Sequence, residues 1–226
     1  MALHVPCPNC GADVVFRSPA LPTRVCDHCQ TMLVRSDEGI QQVGKAAVLP
    51  FDVSPIQIGT AGRFGGQAFE VIGRIRWGWT DGSWNEWLML FGGGGGGTAW
   101  LGEAMGQYMV TVERPLADLN APALGPMMRG QAAVIGTKAV VDGEQLFVAD
   151  AREVECLAAE GELPFRAPPG WRIYSVDLRA PSGNCASVQR DGDSVNFYIG
   201  RYVTLAELAP RNLRAIEGWA APGYAA

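Results

Sequence analysis

The chain has 226 residues, 48% apolar and 18% charged, which suits a folded soluble protein and argues against extensive disorder. Its formal net charge is −5 with no block of lysine or arginine, so its field repels a phosphate backbone and nucleic acid is a disfavoured partner. There is no run of about eighteen apolar residues to cross a membrane as a helix, and the first ten residues lack a secretory pattern, so the expected location is the cytoplasm. Glycine, 29 of 226 residues, is roughly twice its usual share of about 7%, which favours turns and tightly connected strands.

Four of the six cysteines form two pairs, Cys7-Pro-Asn-Cys10-Gly and Cys26-Asp-His-Cys29, with fifteen residues between them. This is the spacing of a structural zinc site: two thiolates two residues apart bind one ion from a tight turn, and four close a tetrahedron with no open position. The segment between the pairs, with Val14, Val15, Phe16 and Val25, reads as a short hairpin. Paired disulfides and a redox CxxC are the rival readings, and two CxxC pairs in a β-rich cytoplasmic chain favour zinc over both. His28 reads as a loop residue. Residues 1–35 are thus a predicted zinc ribbon. With three arginines, no lysine and four acidic residues between Met1 and Glu38, it suits protein contact or scaffolding better than a nucleic acid.

Residues 36–55, with Ser36-Asp37-Glu38-Gly39, Leu49-Pro50 and Ser54-Pro55, read as a linker. Residues 56–113 then alternate apolar runs with turn signals. Strands are expected around Phe69 to Ile75, Trp84 to Phe91, Trp100 to Ala104 and Tyr108 to Val112, with Gly65-Gly66 and Asp81-Gly82 as turns, an antiparallel meander. The six-glycine run Gly92 to Gly97 lacks the Lys and Ser/Thr of a phosphate loop and reads as a flexible hairpin tip. Trp77, Trp79, Trp84, Trp87 and Trp100 are either core or an exposed surface for a protein or membrane interface.

Residues 114–129, with Pro115, Pro122, Gly125 and Pro126, read as a connector, and residues 130–213 as a second β unit. Ile58-Gly59-Thr60 with Gly65, Gln67 and Phe69 recurs as Ile135-Gly136-Thr137 with Gly143, Gln145 and Phe147, one residue inserted, which suggests an internal duplication. Strands are expected over Gln145 to Glu155, Arg172 to Leu178, Cys185 to Arg190 and Ser194 to Val203. Thr204 and Glu207 form a capping-box pattern that predicts a short C-terminal helix from Leu205 to about Leu213. Residues 214–226 are a tail whose end frays. Cys156 and Cys185 lack ligand spacing and read as buried thiols. The fold class expected is mainly β: a small N-terminal zinc ribbon, then a β-rich domain of two similar antiparallel units.

The chain resembles a bacterial family known as domain of unknown function 4178. The resemblance lies in Phe69-Glu70-Val71-Ile72-Gly73-Arg74-Ile75, Trp84-Asn85-Glu86-Trp87, Trp100-Leu101-Gly102-Glu103 with Gly106-Gln107-Tyr108, Gly161-Glu162-Leu163-Pro164, Val176-Asp177-Leu178 and Tyr198-Ile199-Gly200-Arg201. It spans roughly Ile56 to Leu208, and zinc ribbons accompany such domains. It implies no catalytic residues. It does imply a setting among accessory proteins of membrane-stress systems and of polyamine-synthase-like proteins.

Only His4 and His28 are present, so histidine-based nucleophilic catalysis is not expected. The reading is a non-catalytic protein that carries one structural Zn2+ and binds a protein partner, membrane-proximal through that partner. The alternative is a carboxylate-dependent enzyme, or a binder of a small cation such as a polyamine, using Glu86 and Glu103 beside the tryptophans.

Overall fold

The computed structural model describes residues 2–36, 39–47, 53–92 and 96–220. Its N-terminal part is built of β1 (Leu3–Pro6), β2 (Asp13–Phe16), β3 (Thr23–Val25), β4 (Thr31–Ser36) and β5 (Gly39–Lys45). β1 and β2 form one hairpin, and β3, β4 and β5 form an antiparallel sheet. Within the stretch expected to be a linker, Gly39–Lys45 is therefore a strand of the ribbon, paired along Thr31 to Ser36. Ile40 supplies an apolar contact to the ribbon core of Cys7, Val14, Phe16, Cys26 and Leu33, whereas the polar letters Ser-Asp-Glu-Gly before it hide that strand from a composition-based reading.

The rest is two similar antiparallel units. The first contains β6 (Ala61–Phe64), β7 (Gln67–Trp79), β8 (Gly82–Phe91), β9 (Thr98–Ala104) and β10 (Gln107–Arg114). The second contains β12 (Lys138–Val141), β13 (Glu144–Leu163), β14 (Arg172–Arg179), β15 (Asn184–Asp191) and β16 (Ser194–Val203), with β11 (Leu119–Asn120) paired on β12. Each runs as a meander, every strand bonded to the next. The meanders join twice: β10 pairs with β16, and β7 pairs with β13. Among the described residues this closes a ring of eight strands, β7-β8-β9-β10-β16-β15-β14-β13, a barrel without free edges in its wall.

The two units share fine detail. The Gly59 N–H donates to the Val71 carbonyl as Gly136 does to Val148, and the Val71 N–H donates to Thr60 as Val148 does to Thr137. β7 bulges between Val71 and Gly73, and β13 bulges at the matching place between Val148 and Asp150. These pairs keep one constant separation, so the expected inserted residue is corrected: Phe69 matches Leu146, not Phe147. Phe69 and Leu146 are both buried, because strand alternation turns them to the same face and sends Phe147 to the other.

Both faces of the wall are covered. Outside the first unit, Phe69, Val71, Trp87, Met89, Leu101 and Val110 pack under Ile56 and Leu208. Outside the second, Val148, Val176, Leu178, Val188 and Phe197 pack under Leu124 and Met127. Met127 belongs to α1 (Gly125–Met128), a single turn within the 114–129 connector. A third cluster, including Ile75, Trp77, Leu88, Trp100, Val154, Cys156 and Tyr198, runs on to Leu21 and Val25 of the ribbon.

The expected helix from Leu205 to Leu213 is a single 3₁₀ turn, Ala206–Leu208. The capping box does form: Glu207 accepts the Thr204 N–H at 2.6 Å, and the Glu207 N–H donates to Thr204 Oγ1 at 3.2 Å. Propagation stops because Ala209 turns left-handed, φ 42°, before Pro210. The glycine run is closed at its base by hydrogen bonds from Phe91 to Gly97 and from Gly96 to Phe91. Gly93 to Gly95 of that expected tip, residues 37–38 and 48–52 of the expected linker and the last six residues of the tail lie outside the described residues.

Candidate functional site

Two places gather chemistry-bearing side chains. The first is the cysteine cluster. The two pairs sit on equivalent turns: Cys7 N–H donates to Ala12 and Gly11 N–H back to Cys7, while Cys26 N–H donates to Thr31 and Gln30 N–H back to Cys26. Each turn needs a left-handed residue, Gly11 at φ 75° in one and Gln30 at φ 60° in the other. All four Sγ atoms lie within 4.8 Å of one another, with Cys7 to Cys29 at 3.7 Å and Cys10 to Cys26 at 3.8 Å. A tetrahedral ion with arms of about 2.3 Å needs sulfur separations of about 3.8 Å, so the four cysteines fit a metal ion. Hydrogen bonding to Thr31 first, then to Asn9, pulls the Cys29 thiol down to about 5, while burial raises Cys26 and Cys10 stands up at about 12, so Cys29 is the thiol that gives up its proton first.

The ribbon is fixed to the barrel beside this cluster. β3 extends the sheet at the end of β13, Arg24 opposite Glu162 and Thr23 opposite Leu163. The fully buried Glu162 accepts the backbone N–H groups of Arg17 at 2.6 Å and Ser18 at 2.9 Å. Cys156 and Cys185, far from the cluster in sequence, are buried and unbridged, their thiols pushed up to about 12 by burial.

The second place is the inside of the barrel. A cavity of about 380 Å³ is lined by Trp79 of β7, Trp84 and Glu86 of β8, Gly102 of β9, Gln107 and Met109 of β10, Asp150 and Arg152 of β13, Asp177 and Arg179 of β14 and Tyr202 of β16. Seven of the eight ring strands reach it, so it lies within the wall. Below it, Glu86, Gln189, Ser187, Thr111 and Tyr198 close a narrow throat. At the other end the rings of Trp77, Trp171, Phe165 and Trp100 form a contiguous plug, successive centroids 5.2, 5.4 and 6.0 Å apart. The barrel thus has one charged end and one aromatic end.

Strand alternation places the expected residues. Trp77, Trp79, Trp84 and Trp100 face inward, Trp77 and Trp100 buried and the other two half-buried against the cavity. Trp87 faces outward into the packed outer cluster and is fully buried, under the Arg74 guanidinium at 4.5 Å. The five tryptophans do not form one exposed surface.

Glu86 and Glu103 do not converge. β8 and β9 pair Glu86 with Gly102 and Asn85 with Glu103, so the two carboxylates point to opposite faces. Glu86 points inward and accepts hydrogen bonds from Trp77 Nε1 at 2.9 Å, Trp84 Nε1 at 3.2 Å and Gln189 Nε2 at 3.1 Å. Burial raises its pKa, and the indole N–H donors oppose the shift. Glu103 points outward, where its Oε2 accepts from Ser54 Oγ at 2.6 Å, Asn85 Nδ2 at 2.9 Å and Trp87 Nε1 at 2.9 Å. Asn85 Oδ1 in turn accepts from Arg74, at 2.7 Å from Nη2.

The charged wall comes mostly from the second unit, whose inward residues sequence reading passed over: Asp150 and Arg152, Asp177 and Arg179, Ser187 and Gln189. The signal was present as polar residues at every second position of otherwise apolar strands. Asp177 is half-buried on the inner wall, bonded to Ser187 of the throat. Burial pushes its carboxyl up to about 6 against a hydrogen bond from Ser187, while Asp150 adds to the shift and Arg179 and Arg152 oppose it.

Comparisons with curated proteins and with solved structures return no match. A family model does match: Domain of unknown function (DUF4178) covers residues 57–205, a span that holds every strand of the ring and leaves the ribbon outside it. The chain belongs to this family.

Proposed function

We propose that the chain is a non-catalytic binding protein whose barrel holds a small polar ligand, with a structural zinc ion fixing its ribbon. The carrying observation is the cavity of about 380 Å³ inside a closed ring, walled by aromatic rings and by charges of both signs. Its volume falls in the range of small-molecule sites, roughly 300 to 1,000 Å³, and its lining pairs apolar walls with a few converging polar groups. Four acidic residues line it, Glu86, Glu103, Asp150 and Asp177; the Glu103 carboxylate turns away to Ser54, Asn85 and Trp87, and the other three favour a ligand that carries positive charge. A Glu86/Glu103 catalytic pair has no support in this geometry, because a sheet separates the two groups.

Mild extraction of the protein purified from its native cell tests the reading. The wild type should release a small molecule that a Gly102→Trp variant, with its new side chain inside the barrel, does not. Identical extracts from the two folded proteins would overturn it.

A second reading, binding of a protein partner in a cytoplasmic bacterial membrane-stress system, draws on the resemblance and on one observation. β5 ends the ribbon sheet, and its outer edge carries no strand among the described residues, which is a place for a partner strand to add. A crosslinking pull-down that captures nothing through Gly39–Lys45 would remove it.

A further inference from the structure

We infer that the charged end of the barrel binds a small zwitterion, its ammonium directed inward to Glu86 and Asp177 and its carboxylate held at the rim by Arg152 and Arg179. The inference rests on the reading that the cavity takes a small ligand, and it adds the charge type and orientation of that ligand.

The charges grade outward from Glu86, with Asp177 and Arg152 half-buried and Arg179 exposed. Glu86 is buried in the throat. Asp177 is close enough to act on Glu86 electrostatically and is bonded to Ser187; a carboxylate has about four acceptor sites, so one hydroxyl leaves room for an ammonium. Further out, the Arg152 side chain is 33% exposed and Arg179 is exposed. Both guanidinium groups are held by ring faces, Arg152 over Trp79 at 4.4 Å and Arg179 over Tyr202 at 5.0 Å. Stacking fixes the plane of a guanidinium and leaves its edge for a carboxylate. Arg152 bonds Asp150 at 2.6 Å through Nη2, but its Nε is buried with no hydrogen-bond partner among the described residues.

A ligand with a single charge meets the wrong sign at one end. A simple cation offers the rim arginines no counter-charge beyond the Asp150 that Arg152 already holds, and a simple anion brings its charge toward two carboxylates. Only a molecule with both charges matches both ends, its apolar part lying between Trp84 and Met109 on the wall.

Calorimetric titration of the full chain with L-methionine, 3-(methylthio)propylamine and N-acetyl-L-methionine separates the cases, since the three share a side chain and differ in charge. L-Methionine should bind at least about tenfold more tightly than either analogue, about 1.4 kcal/mol. Arg152→Gln should erase its advantage over the amine and Asp177→Asn its advantage over the acetylated acid, with the exposed Arg179→Gln as a second rim variant should Arg152→Gln not fold. Equal or tighter binding of the amine or of the acetylated acid overturns the zwitterion while supporting a ligand-binding cavity. Absence of heat from all three also overturns it, and the extraction experiment then decides the cavity reading on its own.

Discussion

Gly73 and Gly161 lie opposite each other across the seam between β7 and β13, and neither position has room for a β-carbon. One placed on Gly73 would stand 1.9 Å from the Glu162 carbonyl oxygen, and one on Gly161, 2.1 Å from that of Ile72. The other seam is equally close, a β-carbon on Gly200 falling 1.8 Å from the Val110 carbonyl oxygen. Gly161→Ala therefore meets both a clash and a left-handed backbone at φ 69°. It should lose at least about 3 kcal/mol in urea unfolding, against about 1–2 kcal/mol for Gly143→Ala, a left-handed turn glycine with open space around it. Equal losses would mean that the seam relaxes freely.

Metal loss should reach beyond the ribbon. Cys26→Ser, or a strong chelator, removes the energy that folds a closed thiolate site. Limited proteolysis should then cut within residues 2–47 while residues 53–220 resist. The barrel itself should melt several degrees lower, because Glu162 loses the two N–H donors that satisfy its buried carboxylate, a cost of about 1–3 kcal/mol. An unchanged barrel transition would show that the ribbon contributes nothing to it.

Asp177 should make the fold less stable as pH rises. Its folded pKa, about 6, is above the ordinary 3.8, so between those values the folded state holds a proton that the unfolded chain has released. Stability is then highest below the lower value and declines through the window up to the higher one. Asp177→Asn should flatten that part of the profile and raise stability at pH 7, read by urea denaturation between pH 4 and 7. A variant with the wild-type slope would shift the dependence to another group.

Glu86→Gln should destabilise the fold by about 1–3 kcal/mol. A carboxylate accepts from Trp77, Trp84 and Gln189 with both oxygens, whereas an amide turns one of those positions into a donor facing donors. Blue-shifted or red-shifted tryptophan emission together with a lowered urea midpoint would report it, and an unaltered midpoint would mean that Glu86 is protonated and already donates.

The strand pattern and the metal cluster were legible because each is local. Two CxxC pairs encode their own turns, and alternation such as Val176-Asp177-Leu178 encodes a strand with two faces. What joins distant residues was not. The separation of Glu86 from Glu103 depends on which residue of β9 faces Asn85, a register fixed by the hairpin and invisible in either strand alone. The second unit was read one residue out of step because Gln145 and Phe147 repeat the letters of Gln67 and Phe69, while the bulges and turn hydrogen bonds repeat the geometry from Glu144 and Leu146. The charged cavity wall was passed over because its members are scattered over strands that only ring closure brings together.

The reach of β13 also sets an order of events during synthesis. Residues 144–163 bond to β12, β14, β7 and β3, so neither the barrel nor the docking of the ribbon can be completed until that late strand has emerged from the ribosome. The cysteine turns need only the first 31 residues for their own hydrogen bonds and can take up metal long before. Between those moments residues 73–78 of β7 have one unpaired edge, and pairing partners so far apart in the chain make folding slow. In that interval the nascent chain is most exposed to association with its neighbours.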